Sequence, residues 1–596
     1  MISRRDFLRI SGMASAAALI NWQFPVFARE ENAGPGEYHA VIIGAGLGGL
    51  SCAALMARNG LKPLVIDKRN VPGGYATSFQ RDVSGIGSFT CEASLHGITG
   101  NPLSKVLLEE LGIPYEQAIV PHTHSWSSVY PDSQFAIPQP QEGIPPEQTF
   151  EMLAAMLVEQ FSQEKGLPGY MQCWGGLLAD IANFYATGGV MPDNVDDFNE
   201  NIDAFAMAYP TWTSMLWKKK KARTKTLKDL LKEYKINDQK LRAILSQSWP
   251  YYGLPPSEIP AWLYLMYTGF YHAYGNYYIR GTSQSLSNAL CQTIKGNGGK
   301  VLLNTEVTEI ILAPDLGDPD VTRAVGVKTT NPNYQVCIAG AVVSNAAAPQ
   351  TFNKLISESV PLPSEYYDYL DLISTYQPSI SHFNVWLGVD LADGENDGFL
   401  DSYAALPSNT VVYPGYKNEQ VYQALHKFDP DNTGFAVLSY DKLAAPDGTF
   451  AHSPAGYASI TLSMLAAYKP WERFEEDYLA GNKEEYKAEK DRIAEALISL
   501  AEEKLLPGLS SRIEMQDAST PLTNVRFTYN NQGAIYGYEQ SVENSGVSRL
   551  GNRTPIDGLY LSSAWANPGG GLEMVMLSGK ETCKCMLVDW GLIPPS

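Results

Sequence analysis

The chain is short of cysteine, of histidine and of positive charge. Its seven cysteines are odd in number and scattered from Cys52 to Cys585, which excludes a disulfide framework. Cys583 and Cys585 stand two apart in a helical pattern, so they face different sides and make neither a metal pair nor a redox pair; most of the seven read as small buried residues. Forty-four Lys and Arg stand against 64 Asp and Glu, and the resulting net charge of −20 argues against a nucleic-acid partner. Beyond the N-terminus no apolar run is long enough to span a bilayer. The one hint of a calcium loop, Asp429-Pro430-Asp431-Asn432-Thr433-Gly434, has Tyr440 where such a loop needs its glutamate. It reads as a hydrated turn, and no metal is assigned.

What is present begins with an address. Ser3-Arg4-Arg5-Asp6-Phe7-Leu8-Arg9 precedes an apolar stretch, Ile10 to Ile20, and a small-residue cleavage pattern at Val26-Phe27-Ala28. Paired arginines before a short apolar segment are the pattern of twin-arginine export. Residues 1–28 are therefore expected to direct a folded, cofactor-loaded protein to the periplasm. At 596 residues, length alone allows three or four domains, and 44% hydrophobic content supports a large core.

The centre of the chain's organisation is Val41-Ile42-Ile43-Gly44-Ala45-Gly46-Leu47-Gly48-Gly49-Leu50. An apolar strand from Tyr38 to Ile43 runs into a G-x-G-x-x-G turn and then an Ala/Leu/Met-rich helix, Leu50 to Arg58. Gly44 allows the tight turn, Gly46 a close approach of pyrophosphate, and Gly49 close helix–strand packing. The free N–H groups at the start of that helix face the phosphates. A second strand, Lys62 to Ile66, ends at Asp67, about 20 residues past the glycines, where an acid bonds a ribose hydroxyl. This is a dinucleotide site, and with no second such unit evident, NAD(P)H binding is unsupported. Gly73-Gly74 follow, letting backbone pass close to the same ligand. From Glu116 to about Tyr278 the pattern turns aromatic- and proline-rich. An apolar helix, Leu286 to Ile294, and short strands at Val301–Leu303, Thr305–Ile311, Arg323–Thr329, Val336–Ile338 and Ala341–Ser344 return to the nucleotide fold. A tyrosine-rich insertion, roughly Gln350 to Ser519, precedes a last strand, Asp557 to Ala564, a glycine turn and a C-terminal helix.

Three blocks together resemble the flavoprotein group of phytoene desaturases, carotenoid isomerases and retinol saturases, a group related to the amine oxidases. They are Gly44–Gly49 with Asp67 and Gly73-Gly74; Gly298 to Ile311; and Gly558-Leu559-Tyr560 through Pro568-Gly569-Gly570-Gly571-Leu572-Glu573 to Ser578-Gly579. Arg549-Leu550-Gly551-Asn552-Arg553-Thr554 resembles that group's approach to its last strand. The resemblance implies an α/β fold: a discontinuous Rossmann-like FAD-binding domain (36–115, 280–349 and 520–596) with an inserted α+β substrate domain (116–279 and 350–519). It implies that Gly44, Gly46, Gly48, Gly49, Asp67, Lys68, Gly73, Gly74 and Thr77 hold the ADP half of FAD. Val307 would offer its backbone to the adenine, and Gly570, Gly571 and Met574 would lie against the flavin ring. A helix starting near Gly571 would aim N–H groups at the ring's pyrimidine edge, favouring negative charge there. Asp67 stands where the group often has Glu. Tyr75 stands where amine oxidases carry Arg, which weakens that relationship.

His96 and Glu92, in Phe89-Thr90-Cys91-Glu92-Ala93-Ser94-Leu95-His96-Gly97, are the candidate catalytic groups, either one handling a proton if the reaction needs it, and His96 able to do so near neutral pH; a hydrogen-bonded structural histidine is the alternative. Tyr278 and Tyr536 are candidates for the pocket wall or for packing. Trp212 to Arg223 combines aromatic residues with five cations in six positions, which suits docking on an anionic membrane as well as a solvated helix start. The leading expectation is an exported FAD-dependent oxidoreductase acting on carbon–carbon bonds of a lipophilic polyene or isoprenoid, by desaturation, saturation or cis–trans isomerisation, with a quinone or O2 as electron acceptor. The alternatives are a FAD-dependent amine or amino-acid oxidase, or a non-catalytic lipid escort.

Overall fold

The computed structural model describes residues 38–94, 97–186, 202–216, 224–314, 321–357, 360–392, 398–427 and 429–593. Residues 1–28, His96 and the cationic run Lys218–Lys221 lie outside the described residues.

The first sheet is built where the apolar runs demand it. Strand β1 (Tyr38–Ile43) pairs in parallel with β2 (Pro63–Ile66), which pairs with β3 (Lys300–Leu302). Val41 and Ile42 are fully buried, each side chain contributing about 1.5–3 kcal/mol by leaving water. On the other flank of β1 two short strands were expected at Val336–Ile338 and Ala341–Ser344. They form one strand, because successive halves of it pair with different neighbours. With β4 (Val307–Pro314), β5 (Thr322–Thr329) and β6 (Val336–Ser344), an antiparallel meander runs off the sheet, Gly326 opposite Ile338. The second half of β6 lies parallel to β1, Ile43 opposite Ser344, and to β7 (Leu559–Leu561), Ser344 opposite Leu561. The carboxyl ends of β1, β2, β6 and β7 thus share one edge, the position where open parallel sheets bind ligands.

Helix α1 (Leu47–Arg58) begins inside the glycine turn, three residues before the expected Leu50, and α2 (Ser283–Gly296) and α3 (Leu572–Asp589) pack around it. The contact of α1 with α3 is backbone-close: a Cβ on Gly579 would lie 2.4 Å from the Gly48 carbonyl oxygen.

A second seven-stranded sheet has the spatial order Ile513–Ser519, Ser381–Asp390, Tyr457–Ala466, Phe435–Leu438, Asn409–Val412, His124–Tyr130, Ser133–Pro138. All neighbours are antiparallel except Asn409–Val412 beside His124–Tyr130. Helices Leu167–Ala186 and Ala261–Tyr274 join one face through a core containing Trp126, Trp174 and Tyr264. Helix Glu484–Lys504 covers another part of the sheet, with Phe383, Leu462 and Leu497 between them. Among the described residues no helix is long and apolar enough to cross a membrane.

Candidate functional site

A cavity of about 1080 Å³ runs from the carboxyl edge of the first sheet to the second sheet. That exceeds the upper range of single drug-sized pockets, about 1,000 Å³.

Its first wall is the nucleotide end. The α1 N-cap is Gly46, which has no side chain to bond the first-turn amides. The Gly49 amide donates to Asn345 Oδ1 at 3.0 Å, while Leu47 and Gly48 line the cavity at the positive end of the helix. Gly48 also has a packing reason: a Cβ there would sit 2.4 Å from the Ser562 carbonyl oxygen. Gly44, Gly46, Gly73 and Gly74 are all at the wall, Gly46 bridged to Gly73 and the Gly73 amide bonded to the Ala45 carbonyl at 2.7 Å. Gly49 stands behind, packing α1 on β1 beside Ile42.

Asp67 faces this wall with both oxygens committed to backbone: Oδ2 accepts the Ala45 amide and Oδ1 the Arg69 amide, each at 2.7 Å. Burial pushes its carboxyl up, and the two amides, Arg69 and Lys68 hold it back. Lys68 lines the wall 3.1 Å from Glu306 and 3.0 Å above the centre of the Tyr529 ring. Arg69 donates to the Gly74 carbonyl at 2.9 Å. Thr77 is buried behind the wall, its hydroxyl also bonded to the Gly74 carbonyl. Val307, at the start of β4, lines the cavity between Glu306 and Thr308.

The second wall is the turn into α3. Gly570, Gly571 and Met574 all face the cavity. A Cβ on Gly570 would stand 2.5 Å from Tyr536 Cα, so only glycine lets these two backbones approach. Gly571 caps α3 without a side-chain bond. Tyr267 donates to the Met574 sulfur. Glu573, in the first turn, was not singled out from the sequence. Its Oε1 accepts from the Thr99 hydroxyl at 2.8 Å, the Thr99 amide at 3.2 Å and the Ser104 hydroxyl, and burial pushes its carboxyl up to about 6.

The cavity continues into a chamber lined by aromatic and aliphatic side chains, among them Trp249, Tyr251, Tyr252, Tyr271, Tyr536, Val411, Phe435 and Leu465. Among the described residues, His382 is its imidazole. The Asn524 amide nitrogen donates to His382 Nδ1 at 3.2 Å, which in the neutral ring leaves the proton on Nε2. Its ring meets Tyr75 edge-on at 5.8 Å. A histidine in the buried apolar strand Ser381–Asp390 was the available signal.

Glu92 lies elsewhere. It is 2% exposed, does not line the cavity, and accepts from the Ser283 amide at 2.8 Å, the Ser283 hydroxyl and the Tyr278 hydroxyl. It anchors the start of α2. Tyr278 stacks on Tyr440 at 4.0 Å in the same buried layer, whereas Tyr536 stands at the chamber wall. Asp429, of the suspected calcium loop, accepts from the Asn432 side chain at 2.9 Å.

Residues 42–111 match the NAD(P)-binding Rossmann-like domain. The chain is 23% identical over 585 residues to the all-trans-retinol 13,14-reductase of Danio rerio, covering 94% of this chain and 87% of that protein. It is 24% identical to prolycopene isomerase 1, chloroplastic, of an Oncidium hybrid cultivar (93% and 85% covered). It is 25% identical to the 4,4'-diapolycopene oxygenase of a Methylomonas species (91% and 96%). In fold it is similar to an oxidoreductase from Methanosarcina mazei, with TM-score 0.54 and 16% identity over 91% of this chain and 99% of that one. It is likewise similar to putrescine oxidase, with TM-score 0.54 and 13% identity over 93% and 99%. The homologues thus come from the group that the three blocks resemble, and the amine oxidases share the architecture.

Proposed function

We propose that this chain, a homologue of retinol reductase, prolycopene isomerase and diapolycopene oxygenase, is a FAD-dependent oxidoreductase of carbon–carbon bonds in a lipophilic polyene. The observation that carries the proposal is the single cavity that joins a dinucleotide wall to an aromatic and aliphatic chamber through the Gly570–Met574 turn. The wall fits FAD: Gly46, Gly73 and Gly570 bring backbone without a side chain to the cavity, and two helix starts whose caps are glycines face it. When bound, FAD supplies reversible hydride transfer to and from carbon. Asp67, Lys68 and Val307 hold the adenosine end; Leu47 and Gly48 hold the pyrophosphate. Gly571 and Leu572 would offer N–H groups to the flavin ring, and Met574, held by Tyr267, would pack against it. Trp249, Tyr252, Phe435 and Leu465 exclude water from an apolar substrate.

In the same reading the protein leaves the cytoplasm by the twin-arginine route, meets an anionic membrane through the Trp212–Arg223 run, and passes electrons to a quinone or O2. The test is substrate profiling on the purified, flavin-loaded protein. Anaerobic mixing with polyenes is expected to change the flavin spectrum, and mixing with amines and amino acids is expected to leave it unchanged.

A further inference from the structure

Beside the chamber lies a small space of about 20 Å³, enough for one water molecule. Tyr251 and Tyr271 stand between the two, facing both. Asn276 and Asn409 both line the small space, and the Oδ1 of each is buried without a hydrogen-bond partner in the protein. The residues are 5% and 9% exposed. Buried amide oxygens are almost always paired, and two of them on one water-sized space can both be paired by a single water, which has two hydrogens to donate. His122 also borders the space. Its Nδ1 is 2.9 Å from the Ser408 hydroxyl, and burial pushes the imidazole down to about 4, so it is neutral.

Asn409 links this space to the chamber. Its side-chain nitrogen donates to the Tyr251 oxygen at 3.1 Å, so that oxygen is an acceptor there and its own hydrogen points elsewhere. Burial pushes the Tyr251 phenol up, which keeps it protonated, while the Asn409 bond works in the opposite direction and favours the phenolate.

We propose that the small space is a one-water site held by Asn276 and Asn409, and that by fixing the Asn409 amide this water positions Tyr251 as the proton donor and acceptor of the chamber. The proton role rests on the functional reading above; the water site does not. In saturation of a carbon–carbon double bond, one carbon takes a hydride from the reduced flavin. The other takes the Tyr251 proton, its new C–H bond using the former π pair. The phenol oxygen regains a proton from solvent once the product has left. Desaturation runs the same transfers backwards, with the proton leaving carbon for the Tyr251 oxygen.

Two measurements on the full-length, flavin-loaded protein test this. A high-resolution crystal structure is expected to show one ordered water within hydrogen-bond distance of both asparagine oxygens, and Asn409→Leu is expected to lose it. No such water in the native protein overturns the site. For the proton role, the dithionite-reduced protein is mixed anaerobically with all-trans-retinol or a lycopene-type polyene as probes, in H2O and in D2O. Tyr251→Phe is expected to slow flavin reoxidation by about 10²–10⁴-fold and to remove the solvent isotope effect, with flavin content unchanged. A native rate and isotope effect overturn the role. Should Tyr251→Phe fail to fold or lose flavin, Asn409→Leu decides: at least about tenfold slowing supports the role, and a native rate overturns it. If the native protein is not reoxidised by either probe, the functional reading and the proton role fall together, and the density alone decides the water site.

Discussion

Asp67 Oδ2 accepts the amide of Ala45 at 2.7 Å, tying the end of the second strand to the glycine turn that leaves the first. The same carboxylate accepts the Arg69 amide through its other oxygen. It therefore shapes the turn as well as facing the nucleotide wall. Asp67→Ala is expected to lower bound flavin at least about tenfold and to cost about 1–3 kcal/mol of stability through two buried amides left unpaired. Asp67→Asn, which keeps one acceptor oxygen, is expected to fall between. The flavin-to-protein absorbance ratio and denaturant melts measure both effects.

Backbone approach makes a second prediction. A Cβ at Gly48 would meet the Ser562 carbonyl at 2.4 Å and Asn345 Oδ1 at 2.9 Å. Gly48→Ala is expected to destabilise even the flavin-free protein by about 1–3 kcal/mol, through overpacking. Gly570→Ala, which would meet Tyr536 Cα at 2.5 Å, is expected to do the same. Gly551→Ala, with nothing within 4 Å, serves as the control and is expected to stay within about 0.5 kcal/mol.

The dinucleotide half of the cavity could be read from the chain because its parts are local. Gly44, Gly46, Asp67 and Gly73 fall within one strand–turn–helix–strand unit whose spacing follows from the fold. The other contributors act across long separations with no periodicity to mark them. Asn345 reaches the Gly49 amide across 296 positions, and Glu573 meets the Thr99 amide across 474. Asn345 is placed by the shared edge at the end of β6, so a strand order would have found it where a motif did not. Gly48 was read as a nucleotide contact; its close packing under Ser562 depends on β7, which no local pattern shows. The chamber is assembled from Trp249, Phe435 and Tyr536, which are ordinary aromatic residues until the two sheets bring them together.

Glu92 separates a structural from a catalytic role. Its carboxylate satisfies the Ser283 amide and hydroxyl and the Tyr278 hydroxyl in a buried layer. Glu92→Ala is expected to cost about 3 kcal/mol of stability by leaving those donors buried and unpaired. The fraction that stays folded is expected to keep its flavin and its rate per bound flavin. A rate loss without a stability loss would instead place Glu92 in the chemistry. Thermal melts beside rate measurements decide between the two.

Glu573 gives the pH dependence its sign. Burial raises its carboxyl from about 4.5 to about 6 in the folded protein. The folded state therefore holds the proton more tightly than the unfolded state, and the stabilisation is fully present below about pH 4.5 and lost as pH rises through about 6. A shift of this size is worth about 2 kcal/mol. Glu573→Gln, which keeps an acceptor oxygen for Thr99 and Ser104, is expected to be insensitive to this loss. Its stability relative to the native protein should rise by about 2 kcal/mol between pH 4.5 and pH 8. Denaturant melts at the two pH values check it; a difference that stays constant or falls contradicts the assignment.

What the chamber does to a flavin decides the function. The direct measurement is the anaerobic absorption spectrum of the purified native protein before and after a polyene is added, with an amine panel in parallel. A polyene oxidoreductase is expected to be a yellow protein whose flavin bands bleach, or reappear after prior reduction, with the polyene alone. A colourless protein, or a flavin reduced by amines with peroxide released in air while polyenes leave it untouched, would contradict it.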